Sequence, residues 1–518
     1  MIPPKIDEPH SEHSTASDLD RRQFLKILGS GIVICFVPLF HGPDGKVLAR
    51  GLPTDFNAFL RIHEDGRVSC FTGKIEMGQG IVISLAQILA EELDVPLNSV
   101  EMVMGDTNRC PWDAGTFGSM SIKYFGPPLR AAAAEARAIL IQLASERLHV
   151  PASRLETRSG SVLDKDEPRR QLSYGALVQG KRIERHANQK PTLKARADFT
   201  IVGKSAVRTD AEAKVTGRAR FAGDISLPGM LYARIVRPPA HGAELIEVDT
   251  SASAAVPGAR IVRDGDLIAV AHASRDQAEK AFNLIQAKFS RPKTNLNDEN
   301  IFEHLLAKAP PGNVVSGTGD LPKGRELAAK MIEATYRQGY VAHAPLETHT
   351  AMATLDRGKA TVWASTQRPF GAQEEVAQAL GLPLEDVRVI TPFVGGGFGG
   401  KTRNRQVVEA ARLAKATGAP VLVAWTRAEE FFYDAFMPAA VVKVECGLDA
   451  SNRMVFWDYH VYFAGGDRAP SFYDIPNKRT TAYGSWRGTR GRIRLKPGRG
   501  ERRTATPTPL PVNRTSTR

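Results

Sequence analysis

Three short stretches constrain this chain most: residues 73–80, 115–121 and 395–400 are glycine-rich turns, each close to a stretch with helical periodicity. Glycine has no Cβ, so it adopts positive φ and lets backbone N–H groups approach a ligand closely. A helix that follows such a turn points its positive end at the same place, which favours phosphate or another anion. One turn of this kind says little. Three in one chain point to a ligand with several polar and anionic groups spread along its length. The third turn also has a rival reading. Gly395, Gly400, Lys401 and Thr402 satisfy the spacing of a P-loop, between a strand expected over 387–391 and a helix expected over 406–417. The best match to the second nucleotide motif, Val455-Phe456-Trp457-Asp458, is a poor one. P-loop nucleotide binding therefore stands as an alternative.

Periodicity places the rest. Residues 56–71 alternate around Glu64-Asp65-Gly66 and read as a hairpin with an Asp-Gly turn. Helices are expected over 81–93, 129–148, 275–287 and 373–380, and strands over 100–104, 331–340, 360–364 and 421–425. Residues 308–319, where Pro and Gly cluster, read as a linker. A weak internal repeat relates Ala86-Gln87, running on to Val100, and Ala377-Gln378, running on to Val387.

The formal charge of +13 raises nucleic acid as a partner, but its distribution argues against one. The last 32 residues hold ten Lys/Arg against one acidic residue, so the body of the chain is near +4. Cys35, Cys70, Cys110 and Cys446 show no C-x-x-C spacing, so neither a disulfide framework nor an iron–sulfur site within the chain is indicated. Buried thiols are expected instead. Near the N-terminus, Arg21-Arg22 precedes the apolar residues 27–40. That is the layout of a twin-arginine export signal, and the run is short of the roughly 20 residues a membrane span needs. The expected location is periplasmic, or membrane-associated on the periplasmic side.

Taken together, the motifs resemble one family. The stretch Gly395, Gly396, Gly397, Phe398, Gly399, Gly400, Lys401 looks like a cofactor loop of the xanthine dehydrogenase and aldehyde oxidase family, and Glu76-Met77-Gly78-Gln79-Gly80 looks like that family's second cofactor loop. Residues 214–224 and 227–233 resemble its hammerhead domain, and 342–351 the segment ahead of the first loop. The order, with the second loop first, is similar to the large (beta) subunit of the isoquinoline 1-oxidoreductase type. The resemblance covers about 56–486 and implies an α+β fold: two cofactor-binding modules flanking an α/β hammerhead domain. The expected division is 1–50 (twin-arginine signal and linker), 51–195 (part of the second module), 196–315 (hammerhead), 316–486 (first module) and 487–518 (an unmatched basic tail).

The resemblance further implies a molybdenum–molybdopterin cofactor in its cytosine dinucleotide form. Its contacts would come from Gly78, Gln79 and Gly80, from Gly115, Thr116, Gly118, Ser119 and Ser121 around the dinucleotide phosphates, and from Gly396, Gly397, Phe398, Gly399 and Gly400 beside the molybdenum. It implies a small partner subunit with 2Fe–2S clusters, a downstream electron acceptor such as a cytochrome, and a small-molecule substrate. The reaction would hydroxylate a carbon of an N-heteroaromatic ring or oxidise an aldehyde, using water. The family's metal is held by the pterin, so His343, Glu347 and His349 read as structural, and no side chain is assigned as a metal ligand.

The sequence also departs from the family. Val341 stands where many relatives place Gln, and Thr402 where xanthine-type enzymes carry Glu; both count against purine substrates. After Trp486 the resemblance stops and the tail has no apolar periodicity. The expected carboxylate base lies in a motif that the family carries further on. Gly498-Arg499-Gly500-Glu501 matches its letters in the wrong surroundings and too early. No catalytic residue is assigned. The expectation is a truncated or frameshifted and inactive product, with a catalytically dead binding or scaffold protein as the alternative.

Overall fold

The computed structural model describes residues 58–180, 192–290, 296–466 and 469–484, together with the backbone of Gly31–Phe36 and Arg182–His186. Most of 1–50, and the basic tail with Glu501, lie outside the described residues. The chain forms two compact units. One holds residues up to 72 with 83–103 and 124–206; the other holds 73–82, 104–123 and everything from 207 on.

In the first unit a five-stranded sheet runs in the order Val100–Met104, Val68–Thr72, Ala58–Ile62, Gly31–Phe36, Arg182–His186. The expected hairpin is present. Gly66 takes φ +82° at its turn, and the His63 N–H donates to the Arg67 carbonyl at 2.9 Å. Gly31–Phe36 falls in the apolar stretch expected as an export signal; it pairs antiparallel with Ala58–Ile62 and parallel with Arg182–His186. Helix Gly126–Leu148 starts on Pro127 and Pro128, where a missing N–H costs nothing. It buries Leu129, Ala132, Ala133, Ala136 and Leu140, the three- and four-residue spacing of one helical face. Tyr174 is fully buried, and its hydroxyl is satisfied by the Leu93 carbonyl at 2.5 Å.

The second unit is built on a seven-stranded sheet. Its order is Arg260–Asp264, Leu267–His272, Leu231–Ile235, Val421–Ala424, Thr350–Asp356, Lys359–Ala364, Val387–Ile390. Ala360, Val362 and Ala364 alternate inward along one strand. They meet Val407, Ala410, Ala411 and Ala414 of helix Arg405–Thr417 in one core, which also holds Ala372, Val376 and Leu380 of helix Pro369–Leu380. The small alanines let helix and sheet approach closely, and each fully buried Val or Leu contributes about 1.5–3 kcal/mol. Both helices stop at a left-handed glycine, Gly381 and Gly418.

Three expectations change here. The hammerhead segment shares its larger sheet with the segment after it, because Leu231–Ile235 pairs in parallel with Val421–Ala424. The presumed linker contains strand Asn313–Thr318, which pairs with Asn477–Tyr483 in a second, five-stranded sheet. The helix expected to reach 287 ends at Phe282, since Gln286–Phe289 is drawn into a pair with Leu245–Asp249. Among the described residues no helix is long and apolar enough to cross a membrane.

Candidate cofactor-binding site

The second unit contains all three glycine-rich turns, so their relations are set within one compact body. The 395–400 turn is tied at both ends to Glu347. One carboxylate oxygen, Oε2, accepts from the Gly395 N–H and from Lys401 Nζ, each at 2.8 Å, and the Glu347 N–H donates to the Gly395 carbonyl at 3.1 Å. Lys401 is fully buried. Burial pulls its ammonium below the usual lysine range, with Glu347 pushing back. Between these ties Phe398 sits at φ +52° with 72% of its surface exposed. The amides of Gly396, Gly397 and Phe398 donate to no acceptor among the described residues. A Cβ on Gly397 would lie 2.6 Å from Gln367 Oε1, and one on Gly400 would run into the Asp434 carboxylate.

Gln367 joins this turn to the next. Its Oε1 accepts from the Gly399 N–H at 3.0 Å, and its Nε2 donates to the Thr116 carbonyl at 2.8 Å. Its own backbone carbonyl accepts from the Thr116 N–H at 2.8 Å, and its N–H donates to the Lys401 carbonyl at 2.7 Å. Thr116 carries the connection on, because its hydroxyl accepts from the Ile75 N–H at 2.9 Å. Beside it, Asp113 accepts from Lys74 Nζ at 2.8 Å and from the Gly115 N–H at 2.7 Å. Gly118 and Ser119 take φ +69° and +55°, and the amides of Phe117, Gly118 and Ser119 have no acceptor among the described residues. Ser121 opens the helical turn Ser121–Phe125. The structure therefore places two runs of three free amides on either side of one glutamine. Such oriented N–H groups make an anion-binding concavity.

The 73–80 turn differs from its expectation. Its amides hold an internal anion: Glu76 accepts from the N–H groups of Gly78 at 2.8 Å, Gly80 at 3.0 Å and Val82 at 3.2 Å. The Gln79 side chain is also spent locally, accepting from the Met77 N–H at 2.7 Å and donating to the Ile75 carbonyl at 3.0 Å. Gly78, Gln79 and Gly80 thus complete their own turn. Met77 reaches outward instead, its sulfur 3.1 Å from where a Cβ on Gly397 would stand.

Two family models, each described as a molybdopterin cofactor-binding domain, match residues 8–222 and 306–483. The chain is 30% identical to a nicotinate dehydrogenase subunit of Pseudomonas putida over 85% of its own length and 38% of that protein's. It is 28% identical to the beta subunit of isoquinoline 1-oxidoreductase from Brevundimonas diminuta, over 91% of this chain and 67% of that one. The chain belongs to the molybdenum hydroxylase large-subunit family. Among solved structures, quinoline 2-oxidoreductase from Pseudomonas putida 86 aligns with a TM-score of 0.44 at 22% identity, covering 54% of this chain and 44% of that one.

In this family member Lys401 is a buried anchor bonded to Glu347; a P-loop lysine would have to reach a phosphate. Thr402 likewise donates its hydroxyl to the Gly399 carbonyl at 2.8 Å, and helix Arg405–Thr417 begins only after it. That geometry gives the nucleotide reading no support. Below the turn lies a polar group that sequence reasoning only half found. His349, Glu430 and Asp434 are buried with candidate ligand atoms within 4.8 Å of one another, the spacing of a possible metal site. Glu430 accepts from the His349 N–H at 2.8 Å and lies 3.0 Å from His349 Nδ1, Asp434 accepts from the Ala435 N–H at 2.6 Å, and His343 Nδ1 lies 2.6 Å from the Ala435 carbonyl. Burial, the largest single influence, would lift the Glu430 carboxyl, but the hydrogen bonds and charge of His349 together with the charge of Lys401 outweigh it and hold it below the ordinary range. Gln367, Glu430 and Asp434 carried no local signal beyond a polar residue at the end of an apolar stretch. Val341 is exposed, and Cys70, Cys110 and Cys446 are buried.

Proposed function

We propose that this chain holds the molybdopterin cofactor of an enzyme that hydroxylates a carbon of an N-heteroaromatic ring, or oxidises an aldehyde, with water as oxygen source. The observation that carries the reading is the pair of free amide runs, 117–119 and 396–398, joined through Gln367. Both suit an oxygen-rich, phosphate-bearing ligand, and Gly397 is kept small by the Gln367 and Met77 side chains packed against it. When bound, the cofactor supplies the redox chemistry of oxygen insertion. The chain's own part is to orient it. Amides 396–398 would hold its pterin end and amides 117–119 its phosphates, while exposed Phe398 would cover the reacting side and exclude water.

The cytosine dinucleotide form is the one implied by the resemblance of the glycine-rich loops. A small 2Fe–2S partner subunit and a cytochrome-like acceptor are supported by the absence of C-x-x-C spacing in the chain and by its relatives being named as subunits of larger enzymes. Export by the twin-arginine route, to the periplasm or the periplasmic side of the membrane, is supported by Arg21-Arg22 and the apolar residues after them.

The test is molybdenum and pterin content of the purified chain, with the nucleotide released by acid. About one molybdenum per chain upholds the reading, and none overturns it. Cofactor without turnover on any heteroaromatic or aldehyde would make this a holding protein, and no catalytic carboxylate is assigned among the described residues.

A further inference from the structure

Beneath the 395–400 turn, the buried group around His349 is short of partners in one direction. His349 and Glu430 are each 1% exposed, and Asp434 is 7% exposed. The imidazole turns Nδ1 toward Glu430, with both carboxylate oxygens at 3.0 Å. A carboxylate only accepts, so the neutral ring carries its proton on Nδ1 and keeps a lone pair on Nε2. Nε2 has no hydrogen-bond partner among the described residues and lies 3.9 Å from Asp434 Oδ1. Asp434 Oδ2 is also without a hydrogen-bond partner. His343 Nδ1 comes within 3.3 Å of it, but its proton goes to the Ala435 carbonyl at 2.6 Å. We propose that His349 and Asp434 ligate a divalent cation of the zinc class, with Glu430 holding the imidazole in its ligating tautomer. This site is separate from the molybdenum and does not rest on the cofactor reading.

Distance and charge both favour an ion. A gap of 3.9 Å is too long for a hydrogen bond. It suits two metal bonds of about 2.0–2.2 Å, one to nitrogen and one to oxygen, meeting at a wide angle. A histidine that ligates zinc usually donates its other ring N–H to a carboxylate, and Glu430 stands in that place. Candidate ligand atoms of all three residues lie within 4.8 Å of one another. Glu347, Glu430 and Asp434 all act on the one buried ammonium of Lys401, which is bonded to Glu347 at 2.8 Å. With neutral histidines, Glu430 and Asp434 are left as two buried negative charges. Their ion contacts among the described residues are with histidine alone. Uncompensated buried charge is costly, and one divalent cation balances it. His349 stands just before strand Thr350–Asp356, and Asp434 closes helix Arg427–Tyr433. The Asp434 carboxylate also packs against Gly400. The cation would thus pin the floor on which the 395–400 turn rests.

The test uses the full chain as purified, without an affinity tag. Protein stripped with a chelator is mixed with Zn2+, desalted, and assayed for retained zinc and for its thermal unfolding midpoint; molybdenum is counted separately and bears only on the cofactor. About one Zn2+ per chain is expected to remain. The midpoint should rise by about 5 °C, the scale for a ligand held well above its dissociation constant. Co2+ in the same place should show visible bands of nitrogen and oxygen ligation without the intense near-ultraviolet absorption of a thiolate, since no cysteine belongs to the group. Asp434→Asn and His349→Gln should each lose the retained ion and the midpoint rise. Should either variant fail to fold, the stripped and reloaded wild type decides the matter. Protonated histidines would balance the same charges without metal; wild type would then retain no ion and its midpoint would not move, which overturns the proposal. Undiminished retention in both variants, or thiolate absorption from the cobalt form, overturns it as well.

Discussion

Glu347 and Lys401 form an ion pair at 2.8 Å beneath the 395–400 turn, with the lysine side chain wholly out of solvent. The same carboxylate oxygen also takes the Gly395 N–H, so one atom closes the loop at both ends. Breaking a buried pair on one side strands the other charge, at about 3–5 kcal/mol. Glu347→Gln should therefore lose about that much stability in urea unfolding. Adding Lys401→Met should recover most of it. A double variant as unstable as the single one would show that the pair is not what holds the turn.

Crowding at the turns gives a second expectation. Gly397→Ala and Gly400→Ala place a Cβ against Gln367 and Asp434, and each should cost about 1–3 kcal/mol as the loop shifts. Gly339→Ala, with open space around it and no positive φ, should change stability by less than about 0.5 kcal/mol. Equal effects at all three positions would mean that the close packing has no energetic consequence.

Phe398 holds a left-handed backbone conformation with most of its ring in solvent. Such strain in a residue other than glycine costs on the order of 1 kcal/mol or more, and little burial repays it here. Phe398→Gly should leave the unfolding midpoint unchanged or raise it, while weakening cofactor-dependent turnover. A clear drop in the midpoint would contradict this.

Asp210 supplies the pH dependence. The Arg208 guanidinium bonded to it holds its carboxyl down at about 2, and Lys214 adds to the effect. Arg208 also donates to the Gly78 carbonyl at 3.1 Å, so the pair bears on the 73–80 turn. Because the folded-state value is depressed, this contribution is complete above the unfolded value near 3.8 and is lost as the pH falls toward 2. After allowance for solvent screening it amounts to about 1 kcal/mol. Urea unfolding between pH 5 and 2 should show a shallower acid loss for Asp210→Asn than for wild type; parallel curves would refute the assignment.

Local pattern made much of this molecule legible. The helices over Ile81–Leu93 and Arg405–Thr417 follow from apolar spacing, the first stopping short of Pro96 and the second closed by Gly418, and the 395–400 turn from its composition. Pairing between distant segments was not legible. Asn313–Thr318 lies among prolines and glycines and reads as a linker, and becomes a strand only because Asn477–Tyr483 lies beside it. The partner of Leu231–Ile235 was hidden for the same reason, since its parallel neighbour is Val421–Ala424. In the site, glycines announce free amides but not which amides stay free. Gly78 and Gly80 have the right composition and are occupied by Glu76. Gln367 and Asp434 are single polar residues whose roles exist only in three dimensions.

Glu76 has a consequence of its own. By seating a carboxylate where an incoming phosphate would otherwise dock, the chain keeps that helix start electrically quiet before any guest arrives. This turn can take its shape in the empty protein, with its own amides already answered from within the chain.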